Sequence, residues 1–315
     1  MVKVALLCPG QGAQKVGMGK DLADAFGAAR ATFAGIDEAL GIPLSRIMWE
    51  GPEELLTRTD HAQPAILAHS AAVWAVVGPT LRERVAAAAG HSLGEYSAYV
   101  AADTFTPDDA ALLVRRRGEL MHEAGAARPG TMAAVLGLES QAVSDICRAA
   151  CEGESVVVAA NLNAPDQTVI SGDPAAVSRA GDALKQAGAK RVIPLKVSGA
   201  FHSPLMAPAL EGLTAALAAA PAREPCFPVV ANATAQPVRD ARAAKAHLAA
   251  QLTSPVRWVE CTRKLAELDG PGAAPTFVEI GPGNVLTGLA KRIVPGAATI
   301  TLGTAAEVRA FLEAA

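Results

Sequence analysis

Ser92 stands in Gly90-His91-Ser92-Leu93-Gly94, a G-x-S-x-G pattern with an apolar run before it, Arg84 to Gly90, and a helical pattern after it. Flanking glycines permit a sharp strand-to-helix turn, which lifts the serine hydroxyl off a sheet and aims helix N-terminal N–H groups at an oxyanion on an attached acyl group. The spacing points to nucleophilic acyl chemistry, and a chance turn with an N-capping serine is the alternative that the five residues leave open. A hydroxyl needs a base. Of the six histidines, His61, His69, His91, His122, His202 and His247, the best placed is His202, which follows the apolar run Val192 to Val197 in Ser198-Gly199-Ala200-Phe201-His202-Ser203-Pro204. That is a strand-to-loop exit, where α/β sheets gather their sites. His91 is expected to line the pocket, and the other four lie in helical or polar stretches that a solvated or hydrogen-bonded imidazole explains. Asp166, Asp173 and Asp240 sit in turn contexts, so no carboxylate offers itself as the third member of a triad. The reading is a Ser–His dyad, with a backbone or amide carbonyl holding the imidazole tautomer.

The elements that must position these groups follow from periodicity. Val2 to Cys8 reads as a buried strand ending in Pro9-Gly10-Gln11-Gly12. Helical spacing covers Asp21 to Leu40 and Gln63 to Val77, a helix is expected to start at Ser92, and another, capped by Thr106, runs to about Glu123. After the Gly/Pro-rich break at Gly125 to Gly130 come a strand (Thr131 to Leu136), a helix (Glu139 to Cys151) and two strands (Val156 to Asn161, Gln167 to Ser171). A helix (Pro174 to Gly188) and a strand (Arg191 to Val197) complete a β-α-β-β-α-β order, the ferredoxin-like unit. Alternation resumes with Leu205 to Ala219 helical, Pro228 to Asn232 extended, Ala241 to Leu252 helical, Thr276 to Ile280 extended and Asn284 to Arg292 helical. Unbroken apolar strands imply a parallel sheet covered on both faces. The fold class expected is α/β: a parallel-sheet, α/β-hydrolase-like large domain, discontinuous over 1–130 and 199–315, with an inserted ferredoxin-like small domain at 131–198.

Composition narrows the partners. With 51% hydrophobic and 19% charged residues, the 315-residue chain is too apolar to be disordered, and no run of about 18 consecutive apolar residues suggests a membrane span. Lys plus Arg number 28 against 31 Asp plus Glu, net −3, and the aromatics are seven Phe, three Trp and two Tyr. Neither a basic surplus nor a stacking platform for nucleic acid results. Five scattered cysteines without a CxxC pair, and an N-terminus without a basic leader, point to a reducing cytoplasm.

Seven ordered motifs carry a resemblance that spans the chain: Pro9-Gly10-Gln11-Gly12-Ala13-Gln14, Gly90-His91-Ser92-Leu93-Gly94-Glu95, Arg117-Gly118 with Met121, and Asn161-Leu162-Asn163-Ala164-Pro165. The others are Phe201-His202-Ser203-Pro204-Leu205-Met206, Gln251-Leu252-Thr253-Ser254-Pro255-Val256 and Glu279-Ile280-Gly281-Pro282-Gly283. Together they resemble the malonyl-CoA:acyl carrier protein transacylases and, more broadly, the acyltransferase domains of fatty-acid and polyketide synthases. The resemblance implies an acylated Ser92, His202 as base, and Gln11 beside an oxyanion hole formed with the Leu93 N–H. It further implies that the Gln251 main-chain carbonyl orients His202, that Arg117 holds the malonyl carboxylate, and that His91, Met121, Phe201 and Asn161 contact substrate. Residue physics alone reads Arg115-Arg116-Arg117 as a solvated helix face.

Further expectations come with that family. They are ping-pong transfer from a CoA thioester to the phosphopantetheine thiol of acyl carrier protein, no metal or redox cofactor, a free-standing monomer, and a local basic patch for an acidic carrier drawn from Lys190, Arg191, Lys196 and Lys291. A Phe before the histidine goes with malonyl selection, excluding an α-methyl by roughly 1–3 kcal/mol, although Gly199 replaces the usual histidine of that motif, and Cys8 and Ala13 replace the usual Phe and Ser of the first. The competing readings are a trans-acting polyketide acyltransferase, an acyl-editing serine hydrolase and a non-catalytic docking module.

Overall fold

The continuous apolar runs become the strands of a mostly parallel sheet. The structure, a computed structural model, describes residues 3–197, 199–268 and 276–314. Val2 of the expected first strand, and Met1, Ser198, 269–275 and Ala315 of the expected domain ranges, lie outside the described residues. Ten strands are described: β1 (Val4–Cys8), β2 (Val85–Gly90), β3 (Thr131–Leu136), β4 (Val157–Ala164), β5 (Gln167–Gly172), β6 (Arg191–Pro194), β7 (Val229–Val230), β8 (Pro237–Val238), β9 (Thr276–Ile280) and β10 (Ala298–Leu302). Six form a sheet in the order β10-β9-β1-β2-β7-β8, parallel except for β8. β1 is buried along its length and pairs Cys8 with Gly90 of β2, so the loops after both strands leave the sheet side by side at its C-terminal edge. Ligands of open α/β sheets bind at that edge.

The other four strands, order β4-β5-β3-β6 and antiparallel throughout, carry the helices Ser140–Ala149 and Pro174–Gln186 and bury their own apolar cluster, among them Val135, Val143, Ile170 and Leu184. The chain is α/β, with a ferredoxin-like sheet inserted into the parallel one. A backbone seam joins the two: the Val256 N–H donates to Ala160 O at 2.8 Å and the Leu162 N–H donates to Val256 O at 2.9 Å.

The helix Thr59–Leu81 is longer than its apolar spacing announced. An 18-residue window within Thr59–Arg84 has a mean hydropathy of 1.4, long and apolar enough to cross a bilayer by composition. Most of that stretch is buried inside the protein, where it packs on the helix Pro107–Ala127. The two approach closely at Gly118, whose missing Cβ would stand 2.8 Å from Thr59 O and from Asp60 Cα.

Several expected elements end elsewhere. The helix expected over 21–40 is two, Lys20–Ala25 and Gly27–Leu40, because Phe26 is extended between them. The strand expected to reach Val197 stops at Pro194, where no proline N–H is available to extend the ladder. Pro208 holds the start of the expected 205–219 helix in a tighter turn, Pro204–Ala209, before the regular helix Leu210–Ala219. Of the extended run 228–232 only Val229–Val230 pairs. The helices Leu44–Glu50, Glu53–Thr57, Trp258–Leu268 and Ala305–Ala314, and the edge strand β10, went unassigned by periodicity.

Gly118→Ala presses a methyl group onto the backbone of a neighbouring helix. We expect it to destabilise the fold by about 1–3 kcal/mol, read as a lower thermal midpoint, whereas Gly27→Ala, which meets open space, leaves the midpoint unchanged or raises it.

Candidate active site

β2 delivers Ser92 to a strained turn. Ser92 has φ +52°, a left-handed conformation that cannot continue into a helix, so the helix expected to begin at Ser92 begins instead at Gly94 and runs to Ala101. The flanking glycines are required by crowding: a Cβ on Gly90 would stand 1.8 Å from Gly94 O, and one on Gly94 2.1 Å from Cys8 O. Such backbone strain costs about 1–3 kcal/mol and persists only when neighbours hold it. Here Asn232, just past β7, does the holding. Its Oδ1 accepts the Ser92 N–H at 2.8 Å, its Nδ2 donates to Gly90 O at 2.8 Å, and its own N–H donates to Glu95 Oε2 at 3.0 Å.

Ser92 Oγ lies 2.7 Å from His202 Nε2, and His202 Nδ1 lies 3.0 Å from Gln251 O. A carbonyl can only accept, so Nδ1 carries the hydrogen and Nε2 keeps a lone pair for the serine proton. Burial, with the nearby Arg117 charge second, pushes His202 down to about 3 from the ordinary imidazole value. The ring is therefore neutral across the physiological range, with the Nε2 lone pair turned to Ser92.

The helix Pro107–Ala127 brings Arg117 to the same point. Its Nη2 donates to Ser92 Oγ at 3.1 Å and to Gln251 Oε1 at 2.9 Å, its Nη1 donates to Gln63 Oε1 at 2.7 Å, and its guanidinium carbon lies 5.8 Å from the Tyr96 ring centre. Arg117 is 1% exposed, whereas Arg116 is exposed and Arg115 half-buried, both paired with Glu119. The solvated reading of the triple arginine thus fails at its third member. Leu113, Val114, Leu120, Met121 and Ala124 are buried on the face that also carries Arg117, and this helical phase is the signal that separates it from its neighbours.

A cavity of about 900 Å³ opens over Ser92, lined by Gln11, His91, Met121, Asn161, Phe201 and His202 among others. His91 bonds through Nε2 to Asn163 Oδ1 at 2.8 Å, and Met121 Sδ receives Gln63 Nε2 at 3.3 Å. Asn161 is joined by the β4 seam to Val256, and its Oδ1 is buried with no partner among the described residues. Gln11 is exposed at the mouth, reaching Thr59 Oγ1 at 3.4 Å. The Leu93 side chain is buried, and its N–H has no acceptor among the described residues. Gln251 sits behind the cavity, fully buried. Of the remaining histidines, His61 meets Asp60, His69 meets Gly303 O, and His122 lines the cavity.

Three polar partners escaped the sequence reading. Gln63 is a fully buried amide on the long helix Thr59–Leu81, Asn232 lies just past a two-residue strand, and Glu95 was visible only as the last letter of the serine motif. Burial pushes the Glu95 carboxyl up to about 7, against the lowering pull of hydrogen bonds from Gln251 and Asn232 and of the Arg117 charge.

Asn232→Ala orphans the Ser92 N–H and Gly90 O. Each buried orphan costs about 1–3 kcal/mol, so the variant is expected to melt at lower temperature and to acylate Ser92 more slowly than the parent in a quenched-flow mass assay.

An acyl transferase domain model matches residues 5–302. The chain is 44% identical over 299 residues to a malonyl CoA-acyl carrier protein transacylase of Bacillus subtilis, covering 93% of this chain and 91% of that one. It is 42% identical to the Haemophilus influenzae protein of the same name over 99% of both. Among solved structures, an acyl carrier protein S-malonyltransferase of Vibrio cholerae superposes with a TM-score of 0.93 at 42% identity, covering 98% of this chain and 99% of that one. A malonyl-transacylase in complex with a type II polyketide acyl-carrier protein superposes with a TM-score of 0.93 at 41% identity, covering 99% and 100%. The chain belongs to the acyl transferase family, among the malonyl-CoA:acyl carrier protein transacylases.

Proposed function

We propose that this chain transfers the malonyl group from malonyl-CoA to the phosphopantetheine thiol of holo acyl carrier protein, by a ping-pong route through malonyl-Ser92. One observation carries the reading: a serine hydroxyl 2.7 Å from a neutral imidazole nitrogen and 3.1 Å from a buried guanidinium, so that nucleophile, base and a fixed cation share one site. His202 Nε2 takes the Ser92 proton as Oγ attacks the thioester carbonyl. The Leu93 N–H, with Gln11 beside it, stabilises the oxyanion, and CoA leaves as thiolate and takes the proton from His202. In the second half the carrier's thiol gives its proton to His202, attacks the Ser92 ester, and Ser92 Oγ recovers that proton as it leaves. Gln251 O holds the imidazole through both halves.

Arg117 offers the malonyl carboxylate a planar pair of donors, which selects charged acyl groups. His91, Met121, Phe201 and Asn161 form the walls for the acyl group and pantetheine arm, with the Phe201 ring in the space of an α-methyl. These steps use groups the chain itself supplies, so no metal or redox cofactor is assigned. The carrier meets the mouth of the cavity, where Lys196 contributes to the lining. The catalytic unit is 1–130 with 199–315 and the inserted unit 131–198, a division supported by the separate apolar cluster of the small sheet. We assign a monomer in the cytoplasm, in keeping with five cysteines that form no disulfide. The product serves fatty-acid or polyketide synthesis, the latter favoured as a second setting by the structural likeness to the polyketide carrier complex.

Brief mixing with malonyl-CoA is expected to add one malonyl mass to the intact protein, and holo carrier protein to remove it. Acetyl-CoA and methylmalonyl-CoA should add little. Ser92→Ala abolishes the adduct, and His202→Ala slows its formation by at least about 10³-fold. Adduct discharged to water in preference to carrier would establish a hydrolase instead, and no adduct from any of the three thioesters would leave only a docking module.

A further inference from the structure

Gln251 presents three groups to the site. Its main-chain oxygen holds His202, its Oε1 accepts from Arg117, and its Nε2 donates to Ser92 O at 2.9 Å and to Glu95 Oε2 at 2.8 Å. A carboxamide can turn over about its last bond, exchanging oxygen and nitrogen, so its neighbours decide how it lies. On one side stands a guanidinium, which only donates. On the other stands Glu95, fully buried on the helix that follows the nucleophile, whose ionised carboxylate only accepts. Both are satisfied in a single orientation of the amide.

We infer that Glu95 is a positioning residue for malonyl transfer: accepting from Gln251 Nε2, it locks the amide with Oε1 toward Arg117 and so fixes the guanidinium edge that meets the malonyl carboxylate. The bond from the Asn232 N–H ties the same carboxylate to the clamp under Ser92. This inference rests on the reading of Arg117 as the carboxylate holder.

The charge state of Glu95 gives the lock a pH dependence. The titratable groups that face it are Arg117 from the Pro107–Ala127 helix, Tyr96 and Tyr99 from its own helix, and Cys261 from the Trp258–Leu268 helix. Burial holds both phenols and the thiol neutral, Arg117 stays charged, and His202 is held near 3. Glu95, near 7, is the member of this cluster that changes charge around neutrality. Both donors meet Oε2 while Oε1 is buried without a partner among the described residues, so protonation at Oε1 leaves Oε2 a neutral, weaker acceptor, and the lock tightens as pH rises through that value.

The test is Glu95→Gln in the full chain, with malonyl-CoA and acetyl-CoA as acyl donors. The isosteric amide can accept or donate and releases the orientation. KM for malonyl-CoA is expected to rise about tenfold with kcat changed by less than about threefold, and the malonyl-over-acetyl preference to fall by about tenfold. The parent's fall in malonyl KM from about pH 6 to about pH 8 disappears in the variant. Adding Glu95→Gln to Gln251→Ala should change KM no further; full additivity overturns the inference, as does parental KM and preference in Glu95→Gln. Should Glu95→Gln fail to fold, Gln251→Ala decides alone: it loses the pH trend if Glu95 acts through the amide, and a retained trend overturns the inference. Arg117→Ala run in parallel separates the two readings. If it keeps the malonyl preference, the carboxylate role of Arg117 fails; if it loses the preference while Glu95→Gln keeps it, only the Glu95 inference fails.

Discussion

A guanidinium taken out of water loses several kcal/mol of hydration unless donors find acceptors and an opposite charge lies near. Arg117 is in that position, and the surrounding residues answer it in turn. Gln63 and Gln251 supply amide oxygens, Tyr96 supplies a ring face, Ser92 supplies a hydroxyl, and Glu95 lies behind Gln251. Each partner also holds something else. Gln63 steadies Met121, Gln251 orients His202 and braces Ser92 O, and Glu95 receives the N–H of the residue that clamps the elbow. The buried cation thereby organises the serine and histidine around it.

The sheet supplies the frame for this cluster. β1 and β2 end side by side, so the Gln11 loop and the Ser92 elbow leave the same edge, and β7 brings Asn232 beneath the turn. The imidazole and its holder come from further along, His202 from the return out of the small sheet and Gln251 from the end of the helix Ala241–Gln251. Residues 110 positions apart meet across 2.7 Å because the return from the small sheet lands at the edge where the parallel sheet presents the Ser92 loop.

Much of this was legible in the sequence. The β-α-β-β-α-β order emerged from periodicity with its element boundaries misplaced by a few residues, and the parallel sheet from unbroken apolar runs. The serine elbow had a local signature, and the want of a plausible third carboxylate agreed with the main-chain carbonyl found behind His202. Arg117 was legible only through family resemblance, yet the helical phase of Leu113, Val114, Leu120 and Met121 also marks it. Gln63 and Asn232 were not legible, because each serves through a partner distant in the chain and neither stands in a local pattern. The turn at Ser92 was misread as the start of a helix because left-handed backbone at a non-glycine residue leaves no trace in periodicity.

The seam between β4 and Val256 has a mechanical consequence. Two main-chain hydrogen bonds, on either side of Asn161, fasten the small sheet to the segment that begins at Gln251. Met132 and Leu195, which belong to the small sheet and its exit, line the cavity together with Thr57 and Arg58. Arg292, paired with Asp166 and Gln167, ties the same sheet down a second time, so the cavity wall it supplies is held in register with the carbonyl behind His202.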